Sequence, residues 1–314
     1  MKILVTGGAG FIGSNLADRL LSLGHEVIVV DNFNSYYDPA IKRNNVKNNL
    51  NNQNYHLYEC DIQDYASMTN VFKNNNIDVV VHLAASAGVR PSIENPVFYA
   101  DNNIKGTLNI LECMKHFGVK KMVFASSSSV YGNCEAAKFS EDLDLRCPIS
   151  PYAASKLSCE HFIYTYHHLY GIKACCLRFF TVYGPRQRTD LAISKFVRYI
   201  KENKSIELFG DGSTCRDYTY ISDITDGIIA SINYDKTPYE IINLGSSNPI
   251  KLIDMVNTIE KVLNKKAEII YKGMQLGDVD RTYADTSKAE KLLNYSPKVT
   301  FEEGIRNFVK WLYD

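Results

Sequence analysis

Tyr152 and Lys156 stand four residues apart as Y-x-x-x-K. On a helix that spacing puts both side chains on one face. A free phenol titrates near pH ~10, and a neighbouring ammonium lowers that value by favouring phenolate. Such a phenol can exchange a proton with a substrate hydroxyl. Upstream, ASSSSVYG (125–132) sets four hydroxyls, Ser126 to Ser129, just after an apolar stretch. Short hydroxyls there can hydrogen-bond the same reacting oxygen. Taken singly, Y-x-x-x-K is a common surface pair and a serine run a common polar loop. Their order along the chain makes them a constellation.

The second chemical feature is at the start. Gly7, Gly10 and Gly13 form G-x-x-G-x-x-G between an apolar run, KILVT (2–6), and a helical pattern at 12–23. Small residues allow a tight turn and close approach to a pyrophosphate, and the helix start behind them offers free N–H groups and a positive dipole end. Asp31 closes the next apolar run, EVIVV (26–30). That context gives the glycine motif its meaning. Asp31 is expected to accept from the adenosine ribose hydroxyls and to repel a 2′-phosphate, favouring NAD over NADP. Phe11 and Ile12 inside the loop, Asn32 beside Asp31, Asp61 and Ile62 after the third strand, and Leu83, Ala84 and Ala85 after the fourth complete the expected cofactor contacts. Tyr152 and Lys156 join them, since Lys156 can hold the nicotinamide ribose and the positive nicotinamide ring favours phenolate.

The elements that must position these residues alternate. Strand patterns at 55–60, 77–83, 121–126 and 172–178 are separated by helical stretches, notably 102–117 and 152–170. Alternation argues for βαβ units in a parallel sheet, and near-continuous apolar strands for a sheet covered on both faces. The expected architecture is α/β, a Rossmann-type doubly wound parallel sheet with a smaller, interleaved C-terminal substrate domain. The expected division is a cofactor domain at 1–182, with segments near 215–245 returning to it, and a substrate-binding domain at 183–314. In the latter a helix at 191–202, a strand at 240–244, a helix at 251–264, a strand at 267–271 and a closing helix at 301–312 are expected. The Asn-rich stretch 44–54 reads as a solvated loop.

Lys+Arg and Asp+Glu are equal at 35 each, so no basic field favours nucleic acid or an anionic membrane. An anionic ligand must be met by placed charges. The eight cysteines include no C-x-x-C pair and no zinc-ligand spacing, so no metal is expected and buried reduced thiols are. The seven histidines, including His82, show no arrangement that demands a role. With no leader pattern at the N-terminus and no apolar run near the ~20 residues of a membrane span, a cytoplasmic location is expected.

TGGAGFIG, Asp31, LAA (83–85), SSSSVYG, YAASK and RFFTVYGPR follow one another as they do in the extended short-chain dehydrogenase/reductase family, and the chain resembles that family over essentially its whole length. The resemblance implies an NAD that stays bound and is regenerated each turnover, a UDP-sugar substrate, and a homodimer through helices 102–117 and 152–170. Alignment on VYG implies that Ser127 is the catalytic hydroxyl, with Tyr152 and Lys156. Ser128 and Ser129 stand where related dehydratases carry an acidic pair, which argues against elimination of water.

Within the family, DNFNSYYDPAIKR (31–43), AGVRPSIENP (87–96), RFFTVYGPRQRTDLAI (178–193) and MQLGDVDRTYAD (274–285) are similar to UDP-glucuronate 4-epimerases. The last stretch departs from their pattern at Leu276, where Pro is common. Thr181 and Gln275 replace the Asn and Arg usual in UDP-glucose epimerases. The resemblance implies a 4-keto intermediate and a carboxylate held by Ser128, Thr181 and Arg90. It implies diphosphate and uridine contacts from Arg186, Arg216, Asp278 and Arg281, any of which could instead form a surface ion pair. Asn103 would order the active-site backbone or the substrate. The alternatives are a UDP-glucose or UDP-N-acetylglucosamine 4-epimerase, a UDP-glucuronate decarboxylase, and a non-catalytic NAD-sensing interaction protein.

Overall fold

In the computed structural model, residues 1–273 and 279–314 are described. Twelve strands are found among them: β1 (Lys2–Thr6), β2 (Glu26–Asp31), β3 (Tyr55–Glu59), β4 (Val79–His82), β5 (Lys121–Ser127), β6 (Lys173–Phe179), β7 (Thr181–Tyr183), β8 (Ile206–Phe209), β9 (Cys215–Tyr220), β10 (Tyr239–Leu244), β11 (Pro249–Lys251) and β12 (Ile269–Lys272). Seven make the central sheet in the order β10-β6-β5-β4-β1-β2-β3, and every neighbouring pair is parallel. This is the doubly wound arrangement, extended by β10. The chain winds outward from β1 to β3, then crosses back to β4 on the other side of β1. The crevice for a ligand therefore opens beyond the C-terminal ends of β1 and β4.

Strand parity explains the two-sided burial. Ile3, Val5, Val27, Val29, Val79 and Val81 face one apolar cluster, while Leu4, Ile28, Val30 and Val80 face the other. Alternate residues point to opposite faces, so both parities must be apolar where helices cover both sides. A third cluster gathers Tyr183, Phe196, Ile206, Tyr220, Met255 and Phe308 around β7–β9 and the later helices. The segment after β9 returns to the main sheet: Ile224, Ile228 and Ile232 of helix Ile221–Asn233 join the first cluster.

Local sequence sets the key helix. Ser150 caps helix Pro151–Tyr170 by accepting from the Ala153 N–H at 3.1 Å, with Pro151 in the first turn and left-handed Gly171 at the end. Two expectations change in detail. The helix expected at 102–117 begins as a π-helical segment, Ala100–Lys105, before α-helix Gly106–Phe117. The Asn-rich stretch is only partly a solvated loop. It starts inside helix Pro39–Val46, where Asn45 is buried and donates to the Ala9 carbonyl at 3.0 Å.

A buried polar network locks the site's elements together. Arg178 of β6 forks onto Glu160 of helix Pro151–Tyr170 at 3.0 and 2.8 Å. Glu160 also accepts from Ser126 at 2.5 Å, and Arg178 donates to the Tyr131 hydroxyl at 3.0 Å. Tyr131 donates in turn to Asn243 of β10 at 2.7 Å. Removing one partner of such a buried pair leaves an uncompensated charge. Glu160→Gln is expected to lower the unfolding free energy by about 3–5 kcal/mol, read as a lower urea midpoint at unchanged slope. A loss below about 1 kcal/mol, the range of an exposed pair, would contradict this reading.

Candidate active site

A cleft of about 370 Å³ opens where the sheet predicts it. Its floor is the glycine loop. Gly7 has a φ of +68°, and a Cβ there would lie 2.8 Å from the Ala84 nitrogen, while one on Gly13 would meet the Gly7 carbonyl at 2.3 Å. Side chains are thus excluded where backbone must pass close. Gly7, Gly10, Phe11, Ile12, Gly13, Asp31, Asn32, Ile62, Leu83, Ala84 and Ala85 all line the cleft. Asp61 does not appear in that lining; it accepts from the Asn32 side chain at 2.8 Å, one layer back.

Asp31 is buried and carries three contacts besides. Its carboxylate accepts from the Ala9 N–H at 3.2 Å, the Phe33 N–H at 2.9 Å and the Lys42 ammonium at 3.1 Å. Lys42 is itself buried and lines the cleft. Its burial is not legible in the sequence, where a lysine in an otherwise polar helix reads as solvated.

Ser127, Tyr152 and Lys156 line the same cleft. Tyr152 begins the capped helix, its N–H donating to Ser92 at 3.1 Å. Burial pushes the phenol up, and the Ser127 hydroxyl and Arg188 guanidinium pull against it. This departs from the simple expectation of a phenol lowered by Lys156. Lys156 is buried and pushed down to about 8 by that burial; its ammonium donates to the Ala125 carbonyl at 2.7 Å. Behind it, His82 is held neutral, lowered to about 3 by burial, between the Thr6 and Thr107 hydroxyls at 2.6 and 3.0 Å. Asn103 ties the backbone of Ser86 to the Tyr152 helix: it accepts from the Ser86 N–H at 2.8 Å and donates to Ser155 at 2.9 Å.

The expected substrate residues divide. Thr181 lines the cleft. Ser128 opens the turn Ser128–Tyr131 beside Ser127 but does not itself line the cleft. Arg186 does not line it: its backbone is left-handed, with a φ of +68°, and its guanidinium pairs with Asp18 at 2.6 Å. Arg188, two residues on, lines the cleft instead and donates to the Ala87 carbonyl at 3.3 Å. It lies over the Tyr36 ring at 5.1 Å, and Tyr36 bonds both the Ala87 carbonyl and Tyr99. R-Q-R offers two arginines, and only the turn geometry decides which faces inward. Arg90 is exposed and lies over Phe209 at 5.2 Å, outside the cleft lining. Arg216 and Arg281 come together, since Cys215 bridges Arg281, but they hold the Asp280 and Ala136 carbonyls rather than lining the cleft. Asp278, Gln275 and Leu276 lie outside the described residues.

Comparison with known proteins agrees with this geometry. A family model described as GDP-mannose 4,6-dehydratase matches residues 4–308. A UDP-glucuronate 4-epimerase of Thermodesulfobacterium geofontis is 47% identical over 309 residues, covering 98% of this chain and 95% of its own. The crystal structure of a UDP-glucuronic acid 4-epimerase from Bacillus cereus, in complex with UDP-glucuronic acid and NAD, superposes with a TM-score of 0.94 at 38% identity, covering 99% of each chain. A UDP-glucose 4-epimerase from Thermotoga maritima, with UDP-glucose, gives a TM-score of 0.91 at 33% identity, covering 99% of this chain and 98% of its own.

The Lys156 shift has a measurable consequence. Its folded value, about 8, lies below the unfolded lysine value of 10.5. Folding therefore disfavours its charged form, a cost fully present below pH 8 that fades as pH rises toward 10.5. The gap is worth about 3 kcal/mol, against about 1.5–3 kcal/mol for the charge-assisted bond to Ala125. Lys156→Met is expected to leave stability at pH 7 unchanged or raise it by up to about 1.5 kcal/mol and to flatten the rise above pH 8, while activity is lost. A destabilised variant in urea titrations across that pH range would refute it.

Proposed function

The chain belongs to the GDP-mannose 4,6-dehydratase family of extended short-chain dehydrogenases/reductases, and from that premise we propose that it is an NAD-dependent UDP-glucuronate 4-epimerase. It interconverts UDP-glucuronate and UDP-galacturonate through a 4-keto intermediate. The observation that carries this is one cleft lined by the glycine loop, Asp31, Ser127, Tyr152, Lys156, Thr181 and Arg188.

The cradle fits a dinucleotide: Gly7 and Gly13 pack directly on the backbone of Ala84 and Gly7, which keeps the loop tight at the start of helix Phe11–Ser22, where free N–H groups suit a pyrophosphate. Bound there, NAD supplies the hydride acceptor and donor for C4 and a positive ring charge that favours the Tyr152 phenolate. Asp31 receives the adenosine ribose, and Lys156 the nicotinamide ribose. Tyr152 takes the proton of the sugar O4 hydroxyl and returns it after the sugar has turned its other face. Ser127 holds the same oxygen. Resting Tyr152 is neutral, since burial raises it, so proton transfer awaits a loaded site.

The 4-keto form of glucuronate is a β-keto acid and loses CO2 when its carboxylate bond aligns with the carbonyl π system. A site that pins the carboxylate prevents that alignment. Ser128 and Thr181 are suited to it, and Arg188 takes the part first expected of Arg90. Its planar fork suits a carboxylate; it holds Asp190 at 3.0 and 2.7 Å and would exchange that partner for the substrate, and it is close enough to act on Tyr152 electrostatically. Contacts to the diphosphate and uridine are assigned to the 183–314 region, with Arg216 and Arg281.

A homodimer is the proposed assembly. Val97 and Phe98 are 70% and 41% exposed, and Phe162 and Leu169, seven residues apart on one side of helix Pro151–Tyr170, are 37% and 59% exposed. A second copy would cover this apolar face. The eight unpaired cysteines suit the reducing cytoplasm.

Incubation with UDP-glucuronate, UDP-glucose and UDP-N-acetylglucosamine, followed by NMR, is expected to give UDP-galacturonate from the first without CO2 or UDP-pentose. Turnover of the neutral sugars alone would overturn the substrate reading, and CO2 release would make the enzyme a decarboxylase. Tyr152→Phe is expected to lower kcat by about a hundredfold to ten-thousandfold with NAD still bound. For the assembly, sedimentation should give twice the 35.5 kDa chain mass, and Leu169→Glu should return the monomer.

A further inference from the structure

Tyr36 and Tyr37 lie in the connection 32–38 between β2 and helix Pro39–Val46, and both line the cleft. The connection begins with a bend. Phe33 has a φ of +48°, a left-handed backbone that a bulky residue adopts only where its surroundings hold it. Asp31 holds its N–H at 2.9 Å, and the Arg43 guanidinium lies over its ring at 3.7 Å. Asn34 accepts in turn from Lys42 at 3.3 Å. The two tyrosines therefore project from an anchored turn.

Strand order sets what they reach. β1 lies between β2 and β4 in the sheet. A contact inside the cleft from the end of β2 to the segment after β4 thus passes over the end of β1, where the glycine loop stands. Tyr36 makes that contact. Its hydroxyl donates to the Ala87 carbonyl at 2.7 Å and lies 2.9 Å from the Tyr99 hydroxyl. A Cβ on Gly88 would lie 3.3 Å from the same oxygen. Tyr37 marks the path: a Cβ on Gly10 would lie 3.9 Å from its hydroxyl, so the second phenol stands against the glycine loop itself. A dinucleotide with its adenosine ribose at Asp31 and its pyrophosphate on that loop runs beneath this crossing.

We propose that Tyr36 is a latch that closes the cleft over bound NAD, so that the dinucleotide enters and leaves only when the Tyr36–Ala87 bond is broken. The inference rests on the dinucleotide reading of the cleft and not on the choice of sugar. The reaction gives the latch its use: the hydride taken from C4 must return to the same sugar, so a reduced cofactor lost in mid-cycle would strand the ketone. Ala87 also accepts from Arg188 at 3.3 Å, but Tyr36 holds it more closely, at 2.7 Å. The latch thus stays shut when Arg188 turns to a substrate. A latch also has its own kinetic mark. The Tyr36–Ala87 bond joins protein to protein, so it must open for entry as well as for exit. A hydroxyl bonded to NAD itself would slow exit alone.

The full-length protein, stripped of nucleotide, is mixed with NADH in a stopped-flow fluorimeter, and the loaded protein is then chased with excess NAD. The change in NADH emission gives the association and release rates with no sugar present. Tyr36→Phe keeps the ring and removes the bond. It is expected to raise both rates together by about two- to tenfold, the factor that one neutral hydrogen bond is worth. Tyr36→Ala, which also takes the ring away from Arg188, is expected to raise both further. Tyr99→Phe is the comparison. It removes the neighbouring hydroxyl on the far wall and leaves the crossing bond in place, so both rates should change less than in Tyr36→Phe. Faster release with unchanged association would make Tyr36 a ligand contact and overturn the latch. Rates in Tyr36→Phe equal to those of the unaltered protein would overturn it too, as would an equally large effect of Tyr99→Phe. Failure of the unaltered protein to bind NADH at all would overturn the cofactor reading and the latch with it.

Discussion

The buried pair between Glu160 and Arg178 is the constraint from which the site's geometry follows. Tyr152, Lys156 and Glu160 are spaced by four along one helix, so they share a face. Fixing Glu160 to β6 at 2.8 Å therefore fixes the rotation of the helix that carries the other two. The same carboxylate holds Ser126, next to Ser127, and the same guanidinium holds Tyr131 at the far end of the serine turn. Three hydrogen-bonded neighbours thus place the hydroxyl, the phenol and the ammonium as one body. Hydrophobic residues of similar volume could fill that space with equal or greater stability. They would not define the helix rotation, and proton transfer over a hydrogen-bond distance depends on it.

A second theme is how burial works against the charged form at the reacting end of the cleft. Burial raises Tyr152, lowers Lys156 and keeps His82 neutral. These shifts share one physical cause, the removal of water from around the charged form. A cleft of this kind responds strongly to any charge brought into it, because little solvent is left to screen that charge. At the adenosine end the logic is reversed. Asp31 stays paired with Lys42 and with two backbone N–H groups, so it can face ribose hydroxyls without being an isolated buried charge.

Much of this was legible in the sequence, for reasons that can be named. Both faces of the sheet are buried, so strands with apolar residues at both parities stand out, and the glycine loop, Asp31 and the serine run fall at the C-terminal ends of β1, β2 and β5, with Y-x-x-x-K on the helix that follows β5. Contacts made through turns were not legible. Arg186 and Arg188 look alike in R-Q-R, and only a left-handed residue at 186 sends them to opposite sides. Lys42 and Asn45 sit in a polar stretch whose composition suggests solvent, yet the fold buries both. Arg90 sits in a motif typical of nucleotide-sugar enzymes, but its guanidinium lies against Phe209. In each case the deciding fact is long-range packing, which local pattern does not encode.

The family model is described by a dehydratase, whereas the most informative relatives are epimerases. Both reactions begin by oxidising C4, so both need the same cradle, phenol and ammonium. They diverge only after the ketone exists. Elimination of water needs a further acid and base beside the sugar, and here the two positions after Ser127 hold Ser128 and Ser129. Neither hydroxyl can serve as a carboxylic acid or a carboxylate near neutral pH. On the proposed reading, the choice of reaction rests on one short turn attached to an otherwise shared scaffold, and fold alone does not choose between the two.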